Sequence, residues 1–175
     1  QVVFIGVHMP SYLKDNGLSP QVASYALALI GLFNVFGTYI AGTLGQRMPR
    51  RFILSFIYLA RAVAISVFLL VPLSPLSVYI FSAVMGTLWL STVPPTNATI
   101  AQIFGVQHLS MLGGFVFCSH QLGSFMGVWL GGYLYDATGS YDIVWYIAIG
   151  LGVLAGLVNL PIKEAPIQRA QPQAA

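Results

Sequence analysis

An all-helical bundle embedded in a lipid bilayer is the fold class this sequence predicts, and three observations carry the prediction. Of its 175 residues, 57% are hydrophobic, and the mean hydropathy is +0.82. Only 6% carry charge, seven Lys or Arg and four Asp or Glu, against roughly 25% in soluble domains. The charges are also bunched: none falls in 16–46, 62–135 or 143–162, apart from whatever His108 and His120 carry. A helix of about 20 apolar residues crosses a bilayer, so the first and last of these stretches hold one crossing each and the middle one holds two or more. The apolar segments lack the ten-residue alternation of barrel strands, which leaves helices.

Five clusters of turn-forming residues, at 14–17, 45–51, 72–75, 105–108 and 136–140, divide the chain into six segments. The first, 1–13, opens on Gln1 inside an apolar run with no initiator Met or charged leader. It is too short to span, so it is expected to be the remainder of a longer crossing and the chain a fragment. The second, 20–45, starts with Ser19 as N-cap and Pro20 in the first turn. The third, 52–72, carries Arg61, and the fourth, 76–102, carries Trp89, Pro94, Pro95 and Asn97. Its double proline must bend the helix and release backbone carbonyls. In the fifth, 109–135, Ser119, Gly123, Gly127 and Gly131 form a small-residue stripe suited to close helix packing or to sliding. The sixth, 143–161, is expected to be capped by Asp142. Residues 1–162 thus form one six-helix domain, and 163–175, polar and containing Pro and Gln, form a disordered tail.

Basic residues set the expected orientation. With alternating crossings, Arg47, Arg50, Arg51, Lys163 and Arg169 share one side and only Lys14 lies on the other, which puts the Arg47 loop and the C-terminus in the cytoplasm. A net charge of +3 is too small a footprint for nucleic acid. The single Cys118 makes no internal disulfide and has no metal-ligand spacing around it. Cys118 and His120 are two apart, and side chains at that spacing do not face each other on a helix. No catalytic residue, metal or cofactor is therefore expected, and an enzyme is not.

Polar side chains near the middle of the bilayer are the candidate functional residues. Arg61 lies about ten residues, or roughly 15 Å, from the start of its helix, close to the midplane of a hydrocarbon slab about 30 Å thick. An ionisable group at that depth faces the protein interior or an aqueous cavity and marks a functional site by default. Arg61 either meets an anionic solute through its planar fork or is paired structurally, with backbone carbonyls, with an acid elsewhere or with the dipole of Tyr58 at i−3. Asn34, Trp89, His120 and Gln121 fall at similar depth, and Asn97 follows the double proline of the fourth segment. His120 either carries a proton or packs neutral in a helix interface, and His8, followed by Met9 and Pro10, is placed to line an outer mouth. The break around Pro94 and Pro95 is either a binding element, as broken helices are in transporters, or an architectural kink.

The run Gly42-Thr43-Leu44-Gly45-Gln46-Arg47-Met48-Pro49-Arg50-Arg51 resembles the G-x-L-x-D-R-x-G-R-R loop signature of the major facilitator superfamily, with Gln46 in place of the acid and Pro49 in place of the glycine. The run from Gly131 to Asp142 is similar to the outer loop before the last helix in bacterial members related to monocarboxylate porters. The resemblance implies the C-terminal six-helix half of a twelve-helix transporter of the bacterial inner membrane, with an N-terminal six-helix half as its missing partner. It implies that Gly42, Arg47, Arg50 and Arg51 form a gating loop. It also implies that helices 20–45, 76–102 and 109–135 border the pathway while 52–72 supports from outside, which sets Arg61 back from the solute. The expected function is alternating-access transport of a small organic solute, a monocarboxylate moved with protons, the lipid bilayer and that solute being the partners. Efflux of drugs or other metabolites is the alternative within the fold, and a non-transporting scaffold or receptor is the alternative outside it.

Overall fold

The structure, a computed structural model, describes residues 1–167. It consists of α1 (Val2–Asp15), α2 (Pro20–Leu44), α3 (Arg50–Leu70), α4 (Pro75–Leu88), α5 (Val93–Phe104), α6 (Leu109–Thr138) and α7 (Asp142–Asn159), with a short 3-10 turn at Val106–His108, and no strand among the described residues. The fourth expected segment is therefore two helices in one path, broken at 89–92. Four units are long and apolar enough to cross a membrane: α2, α3, the α4–α5 pair and α7. Residues 168–175, Arg169 among them, lie outside the described residues.

Helix starts follow local chemistry with one shift. Ser19 occupies the N-cap of α2 with Pro20 behind it, though its hydroxyl makes no capping bond. Asp142 is not the cap of α7. Tyr141 takes that position, the Ser140 hydroxyl accepts the Asp142 amide at 3.0 Å, and Asp142 sits in the first turn, where its charge opposes the positive end of the helix dipole. The best-made cap is at α4, a reciprocal box in which the Ser77 amide donates to Ser74 Oγ at 3.2 Å and the Ser74 amide to Ser77 Oγ at 2.9 Å.

Lipid tails are as apolar as leucine, so helices in a bilayer associate by close packing, and small residues permit it. Two pairs dominate here, α2 along α4 and α3 along α7. In the first, Gly37 lies directly on the Thr87 backbone, and a Cβ on Gly86 would come within 2.6 Å of the Ile30 carbonyl. In the second, a Cβ on Gly152 would stand 3.3 Å from the Tyr58 carbonyl, and one on Gly156 would stand 3.3 Å from that of Ser55. The expected stripe on α6 behaves otherwise. Gly131 is packed against Phe4 and His8 of α1, but Gly123 and Gly127 have nothing within 4 Å. Every residue from 114 to 123 is exposed, so the middle of α6 stands clear of the other helices.

The densest core lies at the Asp15 end. Ile5, Met9, Ile65, Val78 and Met85 are fully buried there, Phe68 stacks on Phe81 at 4.1 Å, and Trp145 meets Phe4 edge-on at 5.2 Å. These contacts tie α1, α3, α4 and α7 together at one end, and a smaller apolar cluster of Ala41, Ile53, Ile57 and Leu88 lies toward the Arg47 end.

Candidate functional site

The break between α4 and α5 is bonded from both sides. Thr92 precedes α5, and the prolines at 94 and 95 contribute no amide hydrogens, so the α-helical ladder cannot run through. From α3, Arg61, which is 4% exposed, donates Nε to the Leu88 carbonyl at 3.1 Å and Nη2 to the Leu88 and Trp89 carbonyls, the latter at 2.6 Å. From α2, Asn34 Oδ1 accepts the Leu90 amide at 3.0 Å and the Thr38 hydroxyl at 3.3 Å. Ser91 returns its hydroxyl to the Thr87 carbonyl.

Electrostatics explain why a guanidinium is tolerated there. No acidic side chain contacts Arg61 among the described residues, but the carbonyls it meets are at the C-terminal end of α4, the negative end of that helix dipole. The Tyr58 ring lies 5.2 Å from its guanidinium carbon, adding a cation–π contact. The structure brings Asn34, Arg61 and Trp89 together, with Arg61 turned to backbone carbonyls. The Trp89 ring lies 3.6 Å from where a Cβ of Gly6 would stand, so α1 meets the break through its glycine.

A cleft of about 440 Å³ opens beside the break between α2 and α5, lined by Thr38, Tyr39, Gly42, Gln46, Arg50 and Pro94 among others. Asn97 is exposed on α5 and lies near Gly113 of α6. His120 and Gln121 fall in the exposed stretch of α6 and join no group at the break; the His120 ring stands 6.3 Å from that of Phe117.

A second polar cluster closes the Arg47 end. The Glu164 carboxylate accepts the Arg51 amide at 2.7 Å, at the start of α3, and stands 3.7 Å from Arg50 Nη1. Arg50 also donates to Gln102 Oε1, Gln102 Nε2 donates to the Glu164 carbonyl at 2.6 Å, and the Ile167 amide donates to the Ile103 carbonyl at 3.0 Å. Residues 162–167 therefore bind the ends of α3 and α5 to each other. Arg47 is exposed. Gly42 lies against Pro94, 3.7 Å from its would-be Cβ. Glu164 was missed as a functional residue because it stands in a polar tail. The available signal was an acid immediately after the last crossing, on the same side as a loop whose own acid is replaced by Gln46. Glu164→Ala is expected to free this segment at a cost of about 1 kcal/mol, read as faster protease cleavage near 163–167 with the membrane bundle intact.

At the opposite end, His8 is held by both ring nitrogens. Nε2 lies 3.0 Å from the Val128 carbonyl of α6 and Nδ1 3.3 Å from the Tyr141 hydroxyl. The carbonyl only accepts, so Nε2 carries a hydrogen, and Nδ1 and the Tyr141 hydroxyl share the second bond. Burial pushes the Tyr141 phenol up from its ordinary range, against the opposing effect of the Ser11 hydroxyl beside it, and keeps it a donor. Tyr141 stacks on Tyr135 at 4.3 Å, and the Tyr135 hydroxyl donates to Asp15 at 2.7 Å.

Long apolar helices, one of them broken at a polar stretch, and an arginine-bearing loop between α2 and α3 define a multi-pass membrane protein. The profile of the Major Facilitator Superfamily matches residues 2–175, and the chain belongs to that family. It is similar to the uncharacterized MFS-type transporter YcxA of Bacillus subtilis (strain 168), with 26% identity over 162 residues, 89% of this chain and 39% of that protein. It is similar to monocarboxylate transporter 13 of Rattus norvegicus, with 27% identity over 161 residues, 89% of this chain and 37% of that protein. Human monocarboxylate transporter 14 shares 27% over 165 residues, 90% of this chain and 31% of that protein. The chain thus spans between 31% and 39% of the length of these three relatives.

Proposed function

We propose that this chain forms the C-terminal half of a secondary transporter that moves a small organic solute, a monocarboxylate, by alternating access together with protons. The observation that carries the reading is the bonded break beside the 440 Å³ cleft, in a chain whose relatives include proteins named monocarboxylate transporters. Interrupted helices with polar groups at the break are the binding elements of transporters, and two six-helix bundles rocking about a central site is how such folds work. In this reading Thr38 and Asn34, at the cleft and the break, and Trp89 and Asn97 along the same path meet the polar part of the solute. Arg61 acts one step back, by holding the break in shape. Arg50, which lines the cleft, is the cation among the described residues that a carboxylate there would meet, with the N-terminal six-helix partner closing the other side. The Arg47 loop, with Gly42, Arg50 and Arg51, works as the gate and faces the cytoplasm, as does the tail.

The test uses the full-length transporter in proteoliposomes with an imposed pH gradient and labelled monocarboxylates against neutral and cationic compounds. Monocarboxylate uptake that follows the gradient, and falls at least tenfold in Asn34→Leu, is expected. Movement of neutral or cationic compounds alone would replace the monocarboxylate reading with efflux of other metabolites. No flux of any compound, in a protein whose break residues are closed to water-soluble thiol reagents after cysteine substitution, would favour a scaffold.

A further inference from the structure

The transport reading leaves the coupling proton without a residue, and the two imidazoles within the helices differ sharply in their surroundings. His120 stands on the exposed stretch of α6. His8 sits where three helices meet, on α1, bonded to the Val128 carbonyl of α6 and to Tyr141 at the start of α7, with the Phe4 ring 5.2 Å away. We infer that His8 is the proton-binding group of this half, and that its protonation tightens the attachment of α6 to α1. The inference rests on the proton-coupled reading above.

The geometry suits both protonation states. Neutral His8 donates through Nε2 and accepts at Nδ1, whereas the imidazolium donates through both nitrogens. The Val128 carbonyl accepts in either state. The Tyr141 hydroxyl both donates and accepts, so it turns over without leaving its place. A proton arriving at the exposed Ser11 end passes to the Tyr141 oxygen as the phenolic proton moves to Nδ1. Tyr141 remains a neutral phenol and His8 gains one positive charge, with no other bond made or broken. The charged groups facing this site are mostly acids: Asp15 on α1 and Asp136 on α6 act on Tyr141, Asp142 on α7 acts on Tyr12 of α1, and Tyr135 of α6 bonds Asp15. Lys14, exposed at the end of α1, is the nearest opposing cation in sequence.

The attachment at stake is a small one. The middle of α6 is uncovered from 114 to 123, and its outer third meets α1 where Gly131 admits Phe4 and His8. Both His8 bonds become charge-assisted on protonation, and such bonds are roughly twice as strong as neutral ones. The attachment is therefore stronger with His8 protonated than with it neutral.

Hydrogen–deuterium exchange on the full-length protein tests this without reference to transport. At pH 5.5, amides of 128–135 are expected to exchange about fivefold more slowly than at pH 8 after correction for intrinsic rates, as for a hydrogen bond that doubles in strength. His8→Gln, whose amide has a donor and an acceptor but takes no proton, should lose that difference. Tyr141→Phe, which leaves His8 in place, should reduce it, and His120→Asn should leave it unchanged. In proteoliposomes, His8→Gln should lose the acceleration of uptake by outside acid. Equal pH responses in the wild type, His8→Gln and Tyr141→Phe would overturn the inference. A wild type that exchanges as expected but shows no gradient-driven uptake would overturn proton coupling and leave the His8 switch standing.

Discussion

Replacing Gly37 with alanine is expected to destabilise the bundle by about 3 kcal/mol, at the upper end of the usual cost of overpacking. A Cβ at that position would lie 2.5 Å from the Thr87 carbonyl carbon and 2.7 Å from its Cα. Those atoms belong to the backbone of α4, so no rotamer change relieves the overlap and α2 must move away as a unit. The movement would also separate Gly86 from Ile30, where the same two helices meet, and would pull Asn34 from the Leu90 amide. Gly86→Ala should therefore be costly for the same reason, and the double variant should cost less than the sum of the two, since they disturb one interface. Gly31, also on α2, has nothing within 4 Å. Gly31→Ala should be neutral or gain up to about 1 kcal/mol from helix propensity. Thermal unfolding of the full-length protein in detergent, comparing the alanine variants at 31 and 37, checks the argument; equal melting temperatures would refute it.

Arg61→Leu is expected to have the second large effect. Removing the guanidinium leaves the Leu88 and Trp89 carbonyls without a donor in the interior, at about 1–3 kcal/mol for each unsatisfied group. Some of that loss is offset because a buried charge is no longer held away from water, so a net cost of about 2–4 kcal/mol is expected. Arg61→Lys keeps the charge but loses the planar fork that reaches two carbonyls at once. Arg61→Gln keeps a donor without the charge. Both should lie between leucine and the wild type in melting temperature, and uptake should fall in the same order because the break that carries Trp89 loses its shape. A contrary pattern, with Arg61→Gln as stable as the wild type yet defective only toward anions, would place Arg61 in contact with the solute.

Much of this architecture is legible in the chain before any coordinates. The scarcity of charge and its confinement to short runs follow from the cost of putting ions in hydrocarbon, so the helix count and the loops at 45–49, 105–108 and 139–141 are local consequences of composition. The break before α5 is equally local, since Pro94 and Pro95 lack the amide hydrogens a helix needs. The common depth of Asn34, Arg61 and Trp89 comes from helical rise alone.

Direction is what residue order does not contain. Depth places Arg61 and His120 in one layer, but the rotation of each helix about its axis decides that Arg61 turns toward the Leu88 carbonyl while His120 is left exposed among the described residues. The α6 glycine spacing reads as one continuous interface, yet only Gly131 meets a neighbour, because α1 reaches only the outer third of that helix. The Glu164 contacts bring together residues 113 and 62 positions apart, which no local propensity encodes. Composition and hydrogen-bond requirements determine that this chain is a bundle of membrane helices with one broken at its centre. Which polar group meets which depends on how closely glycine backbones approach and how each helix is rotated, and those are properties of the packed structure.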